Sequence, residues 1–277
     1  MAAGLGIGWG ISWGSITLAA KAPTPTALLL DEYPGASAAY SLRELSAAME
    51  GSAVVRVRRS NDNTEQDFTS AEITDGTLTT FTGANDGFVT TWYDQSGNSN
   101  NVTQATATKQ PKLITNGVVE LENGKASLTY SGGQALSISS YIQGAISQPV
   151  SIFTVANRNS VPNNGYIFDG NSQRIANVNT TYFFAGTAML TTFPLNIQFL
   201  GSWMANTTAS ELYVNSNLDT SGNIGTSGMN GLFLGSRKGA SGNFMGGSIQ
   251  EFVAYPSDQS ANRTGIETNI NTEYTIY

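Results

Sequence analysis

Residues 86–98 read DGFVTTWYDQSGN and combine a strand with a tight turn. Residues 87–93 are rich in threonine and aromatic side chains, which fit the pleated surface of a sheet. Residues 94–101 are dense in Asp, Asn, Ser and Gly, which favour turns because they adopt positive φ angles or bond to the nearby backbone. The stretch therefore predicts a short β-strand that runs into a structured loop.

The second half of the chain continues this pattern of short strands and turns. Asn-Asn-Gly, Asp-Gly-Asn and Thr-Ser-Gly turns separate the apolar and aromatic runs. Many short strands at this spacing predict an all-β fold, a two-sheet antiparallel jelly-roll sandwich. The predicted strands are residues 151–156, 166–169, 174–178, 181–185, 196–204, 211–215, 231–234 and 247–255.

Two short helices are expected beside the strands. In residues 37–50 apolar side chains recur at helical spacing, with Ser37 as a possible cap and Gly51 as the stop. A closing helix is expected after Ser257. One face of that helix would carry Asn262, Ile266, Ile270 and Tyr274.

The first twenty residues alternate large apolar side chains with glycine. In an extended chain all the large groups face one side, and a free tail would leave two tryptophans in water. The strip therefore docks either on its own sandwich or on a neighbouring chain. We divide the chain into an extended anchoring or oligomerisation arm, residues 1–36, and a jelly-roll domain, residues 37–277. The candidate assembly residues are Leu5, Ile7, Trp9, Ile11 and Trp13.

Composition narrows the chemistry that the chain can perform. Its 277 residues include no Cys and no His, which excludes thiolate nucleophiles, His-based triads and most zinc sites. The net charge is −7 and no basic run exceeds residues 56–59, so an electrostatic footprint for nucleic acid is missing. The glycines of the uncharged first twenty residues argue against a membrane span. We predict no cofactor.

The segment from Asp86 to Asn98, above all Trp92 to Asn98, resembles the aromatic-Tyr-Asp-Gln-Ser-Gly-x-x-Asn signature of B-type α-L-arabinofuranosidase catalytic domains. Residues 39–43 and 56–66 resemble the lead-in of that family. The resemblance implies a concanavalin A-like, lectin-like jelly roll over residues 36–277. Similar segments followed by a laminin-G or lectin-like sandwich occur in structural proteins of tailed phages. Residues 244–252, with the closing helix, fit that second pattern.

The resemblance does not carry over a catalytic pair. Retaining glycosidases place two carboxylates about 5 Å apart. The segment that matches the family's nucleophile is residues 177–184, and it contains no carboxylate. The segment that matches the family's acid is residues 234–239, where Arg237 and Lys238 stand instead. We therefore predict no catalytic residue and no enzymatic activity.

The loop after the first strand is the candidate carbohydrate-binding site. Trp92 and Tyr93 could stack on a sugar ring, while Asp94, Gln95 and Asn98 bond to its hydroxyl groups. The alternative is that Trp92 is a core residue and the loop only turns the chain.

A metal site is not expected in this loop. Asp94 to Asn100 follow the spacing with which a calcium loop begins, but the closing glutamate is missing because position twelve is Ala105. Asp169 and Glu251 stand in or at the end of predicted strands, and we expect them to be exposed. No metal is predicted.

These observations predict a non-enzymatic structural protein of a phage virion, as a capsid decoration, head fibre or tail component. It would display a lectin-like domain and be anchored through its N-terminal arm. The expected partners are other virion proteins and symmetry mates in a homo-oligomer, and host-surface glycans. Two alternatives remain, a carbohydrate-binding module that uses residues 92–98 and an active arabinofuranosidase-like glycoside hydrolase.

Overall fold

The structure is a computed structural model that describes residues 1, 3–4, 27–159, 165–172, 174–178, 182–240 and 242–277. The predicted assembly residues Leu5, Ile7, Trp9, Ile11 and Trp13 lie outside this part of the chain. The sugar-loop residues lie within it.

Strands dominate the described residues. In chain order they are β1 (Ala38–Ser41), β2 (Val55–Arg59), β3 (Glu65–Phe68), β4 (Gly87–Trp92), β5 (Val102–Thr103), β6 (Lys112–Thr115), β7 (Val118–Val119), β8 (Leu121–Glu122), β9 (Lys125–Ala126), β10 (Leu128–Ser131), β11 (Leu136–Ile138), β12 (Val150–Arg158), β13 (Phe168–Asp169), β14 (Ala176–Val178), β15 (Tyr182–Phe184), β16 (Ala188–Leu190), β17 (Gln198–Ala205), β18 (Ser210–Val214), β19 (Asn217–Gly222), β20 (Leu232–Leu234) and β21 (Gly246–Tyr255). The α-helices are α1 (Leu29–Glu32), α2 (Ser70–Thr74), α3 (Thr77–Thr82) and α4 (Arg263–Tyr274). Short 3₁₀ turns occupy Ala47–Met49, Ala107–Lys109, Thr207–Ala209 and Lys238–Ala240.

The strands form one large antiparallel sheet, so the prediction of a two-sheet jelly-roll sandwich is wrong. Within the described residues, hydrogen bonds connect 19 strands, and only the β8–β9 hairpin stands apart. The reason is that β4 pairs with β6 near its start and with β5 near its end, so the sheet branches there instead of separating into two.

The two branches of the sheet curve towards each other. One branch runs from β6 through β10, β21, β12, β17 and β18 to β19. The other runs from β5 through β11, β20, β13, β14 and β15 to β16. Just after β16, the backbone N–H of Thr192 donates a hydrogen bond of 3.0 Å to Asp219 on β19. The sheet is therefore nearly closed on itself.

The hydrophobic core has two parts, one on each face of the sheet. Inside the curve, Phe168 packs edge-on against Trp203, with ring centroids 5.1 Å apart, and also against Phe252. The second part fills the space between the outer face of β12, β17 and β21 and the helices α1 and α4. There Phe153 of β12 packs in one cluster with Ile266 of α4. Strand β12 is thus covered on both faces, which accounts for its apolar sequence.

The described residues contain four α-helices, whereas the sequence predicted two helices. The helix expected at 37–50 is wrong, because Ala38–Ser41 is strand β1 and pairs with β21 in the register Ala38↔Ala254. Burial of all four β1 side chains in this pairing outweighs local helix propensity. The closing helix is confirmed as α4, with Ile266, Ile270 and Tyr274 buried. Helix α2 was missed, although Thr69 and Glu72 form a capping box at its start.

Part of the predicted arm belongs to the packed body. Leu29 of α1 is fully buried, and the backbone N–H of Leu30 donates to the carbonyl of Leu45 at 2.8 Å. Residues 27–36 therefore pack with residues 37–277. Among the described residues, no helix has both the length and the apolar character needed to cross a membrane.

Candidate active site

A cavity of about 550 Å³ lies on the outer face of the sheet, beside the β8–β9 hairpin. Its floor includes Thr129, Asn157 and Ser248, which neighbour one another across β10, β12 and β21. Because side chains alternate along a strand, their neighbours Leu128 and Ile249 point the other way into the core. The sheet thus presents a polar row on the side away from its interior.

Two carboxylates, Glu120 and Glu122, enter this cavity from one extended segment. The backbone N–H of Glu120 donates to Leu113 at 2.8 Å, and its carbonyl accepts from Ser127 at 2.9 Å. Alternate residues of an extended segment face the same side, so both side chains reach the cavity. The segment turns back at Asn123 and Gly124, whose φ angles of 49° and 75° suit a type I′ hairpin.

Each of the two carboxylates accepts hydrogen bonds from its own set of donors. Glu122 accepts from the amide Nδ2 of Asn157 at 3.1 Å and from the hydroxyl of Ser248 at 3.2 Å. Glu120 accepts from the hydroxyl of Thr129 at 3.2 Å and from that of Thr115. The described lining contains no lysine or arginine. The amide oxygen of Asn157 is buried without a hydrogen-bond partner.

A second cavity of about 350 Å³ adjoins the first. Glu122 and Asn196 line both of them. The walls of the second cavity include the exposed side chain of Ile197 and the chain end at Thr275 and Ile276. The two cavities together form a groove, which we name the Glu122 groove.

The predicted sugar loop binds its own chain. Trp92 is fully buried and lies 5.9 Å from the ring of Tyr40. Asp94 is buried too, and its carboxylate accepts the backbone N–H groups of Ala39 at 2.8 Å and of Asn100 at 2.9 Å. These contacts favour the alternative in which Trp92 is a core residue.

The side-chain amides of this loop also bond to the backbone of neighbouring segments of the chain. The side chain of Gln95 accepts from the backbone of Leu45 at 2.8 Å, and Asn98 donates to the carbonyl of Ala36 at 2.9 Å. Tyr93 is partly exposed and donates to Asp67 at 2.8 Å. A sugar site at these residues stays a prediction. In the part of the chain that the structure describes, no group of three or more His, Cys, Asp or Glu side chains is placed to hold a metal ion.

The segments that match the arabinofuranosidase carboxylates hold other groups. Asn177 of β14 is fully buried, and neither polar atom of its side chain has a hydrogen-bond partner. Near the second segment, Asp169 accepts the backbone N–H of Lys238 at 2.9 Å and two bonds from Arg174, at 2.9 and 2.8 Å. Burial raises the pKa of Asp169, while the bonds from Arg174 and Lys238 oppose that shift.

The expectation that Asp169 and Glu251 are exposed is wrong. Both side chains are fully buried, and each is paired with an arginine, Arg174 and Arg43 respectively. Because an unpaired buried carboxylate is costly, strand positions that bury one require such a partner. Neither pair faces the Glu122 groove.

Sequence reasoning missed Glu120 and Glu122. The signal was present, because an Asn-Gly pair flanked by extended residues is a strong hairpin indication. Two glutamates at alternate positions before Asn123 would then share one face. That Asn157 and Ser248 lie beside this face depends on strand pairing far along the chain.

The fold is shared with arabinofuranosidases of known structure. An arabinofuranosidase complexed with arabinofuranosyl-α-1,2-xylobiose matches with a TM-score of 0.61 and 19% sequence identity, over 87% of this chain and 64% of that chain. A GH54 α-L-arabinofuranosidase soaked with a cyclic sulfate inhibitor matches with a TM-score of 0.60 and 19% identity, over the same shares. This chain thus spans 64% of their length. No protein-family model and no curated protein sequence matches it.

These matches confirm, at the level of fold, the resemblance that residues 92–98 predicted. They also correct the functional prediction. The two solved structures are described as arabinofuranosidases, which contradicts the prediction of a non-enzymatic virion protein and favours its alternatives. The comparisons give no support to a virion assignment. At 19% identity the likeness establishes the fold alone, so activity has to be argued from the site.

Proposed function

We propose that this chain is a glycoside hydrolase that acts on arabinofuranosyl glycosides, with Glu120 and Glu122 as its catalytic carboxylates. The observation that carries the proposal is their presence in one cavity, on one face of a hairpin segment. Most glycosidases use two carboxyl groups that flank the scissile bond. The matching family segments offer Asn177 and Arg237 instead, so the reaction would have to use another pair.

The spacing of the two glutamates suits this chemistry. Alternate residues of an extended segment lie about 6.5 Å apart along the chain. Glycosidases place their carboxyl groups about 5 to 9.5 Å apart, the short distances belonging to retaining enzymes and the long ones to inverting enzymes.

Hydrogen bonds hold both carboxylates in the cavity. Glu122 accepts from the amide Nδ2 of Asn157 and the hydroxyl of Ser248, and Glu120 accepts from the hydroxyls of Thr115 and Thr129. A glycosidase uses one carboxyl group of its pair as the acid and the other as the nucleophile or base. Glu120 would protonate the leaving oxygen as the bond from the anomeric carbon breaks. Glu122 would attack that carbon, and water activated by Glu120 as base would then hydrolyse the bond between the sugar and Glu122. In the inverting alternative, Glu122 would take the proton of a water that attacks the carbon directly.

Hydrolysis of an aryl α-L-arabinofuranoside tests the proposal. We expect turnover by the full chain and a loss of about a hundredfold or more in kcat for Glu120→Gln and for Glu122→Gln. The matched control is Glu50→Gln, because Glu50 is exposed and lies outside the cavity. Retention of a folded thermal transition by each variant shows that the loss is chemical. Turnover that survives both substitutions would refute the assignment of this pair.

A further inference from the structure

We infer that the Glu122 groove binds an extended, uncharged oligosaccharide and not a single terminal sugar. This inference rests on the proposed function and specifies its substrate. The occupant would cross from the larger cavity to the smaller one, so that sugar units lie on both sides of Glu122. The geometry behind this inference is that Glu122 and Asn196 line both cavities.

The two cavities have room for more than one sugar. Their volumes are about 550 and 350 Å³, and sites for small ligands span about 300–1,000 Å³. Each cavity alone therefore has the size of a ligand site. Because Glu122 lies at the boundary of the two cavities, a ligand confined to one of them would leave the other filled with water.

The lining suits neutral sugars. The floor of the larger cavity is built from hydroxyls and amides, including Thr129, Asn157 and Ser248, which donate to and accept from sugar hydroxyls. In the described lining of the larger cavity, the charged groups are the carboxylates of Glu120 and Glu122. Since no lysine or arginine of the described lining offsets them, a uronate or other acidic sugar would be repelled.

The walls of the groove are held in place before a ligand arrives. The side chain of Asn123 at the hairpin tip donates to the carbonyls of Tyr274 at 2.7 Å and Thr275 at 3.0 Å. On the opposite wall, the backbone N–H of Asn196 donates to the carbonyl of Arg158 at 2.6 Å. A preformed groove loses little freedom when it binds, so each added sugar contact contributes to affinity.

Calorimetric titration of the Glu122→Gln protein with neutral arabino-oligosaccharides of increasing length tests the inference. This variant removes turnover, so binding is measured by itself. We expect affinity to rise about tenfold or more from the monosaccharide to the tetrasaccharide. Oligogalacturonides of equal length, titrated into the unsubstituted protein that keeps both carboxylates, should bind much more weakly. Ile197→Trp, which fills the smaller cavity, should abolish the gain in affinity with length. Leu218→Trp is the control, since Leu218 is also more than half exposed but lies outside both cavities.

The outcomes separate this inference from the proposed function. A gain in affinity with length, without turnover by the unsubstituted protein, supports the groove and refutes the hydrolase. Turnover of an aryl arabinofuranoside with affinity that does not depend on length supports the hydrolase and overturns the extended groove. Equal binding of acidic and neutral oligosaccharides also overturns the inference.

Discussion

Replacement of Arg43 by methionine should destabilise the fold strongly, because it leaves the buried carboxylate of Glu251 without its cation. The Glu251 side chain is 0% exposed and accepts from Nε and Nη2 of Arg43 at 2.8 and 3.0 Å. Hydroxyls of Ser41 and Tyr274 also contact Glu251, at 2.9 and 3.1 Å, but neither of them carries a positive charge. Removal of one partner from a buried pair costs about 3–5 kcal/mol.

Urea and thermal unfolding measure this effect. For a chain of this size, 1 kcal/mol corresponds to about 2–4 °C in Tm, so Arg43→Met should lower Tm by about 6–20 °C. The matched control is Arg56→Met, because Arg56 pairs with Glu65 where both side chains are more than a third exposed, and it should cost less than about 1 kcal/mol. The double variant Arg43→Met with Glu251→Met should recover much of the stability. Equal losses for Arg43→Met and Arg56→Met would refute the reasoning.

Three other measurements check the structure. Burial raises the pKa of Tyr130 and Tyr141, so both stay protonated in the fold, and stability should be lost as pH rises above about 10, where the unfolded tyrosines ionise. Ultraviolet absorbance should show that their ionisation coincides with unfolding, and ionisation in the folded state would contradict this. Gly247→Ala should destabilise by more than about 2 kcal/mol in urea, because its Cβ would lie 2.1 Å from the carbonyl oxygen of Asn157, at a φ of +127°. Gly133→Ala, with open space around it, should cost less than about 1 kcal/mol, and equal losses would argue against the close approach at Gly247. If residues 1–26 join copies of the chain, their removal should convert a defined oligomer into a soluble monomer by native mass. An unchanged number of subunits would refute that role.

The resemblance found in the sequence identified the fold more reliably than the function. Residues 92–98 resemble an arabinofuranosidase signature, and in this structure they hold neighbouring segments together through Asp94, Gln95 and Asn98. A motif with that structural role can persist whatever the chemistry elsewhere. Residues 177–184 and 234–239 lack the matching carboxylates, which argues only against a catalytic pair at those two segments. This lack does not exclude another pair.

The sequence by itself determined the local elements. Turn residues and Thr-rich runs indicated most strands of the second half, and helical spacing indicated α4, because these signals act between residues a few positions apart. The lack of His and Cys limited the chemistry to carboxylates, hydroxyls, amines and guanidinium groups.

Only the tertiary structure decided how these elements combine. Ala38 pairs with Ala254, so a segment with helical spacing became strand β1. Branching at β4 turned the expected two sheets into one, and it depends on pairings with β5 and β6 that local patterns do not encode. The Glu122 groove arises in the same way, since Glu122, Asn157 and Ser248 meet only when distant strands take their register. Pairing energy between distant strands is a property of the whole fold, and it outweighs the local preference of any single segment.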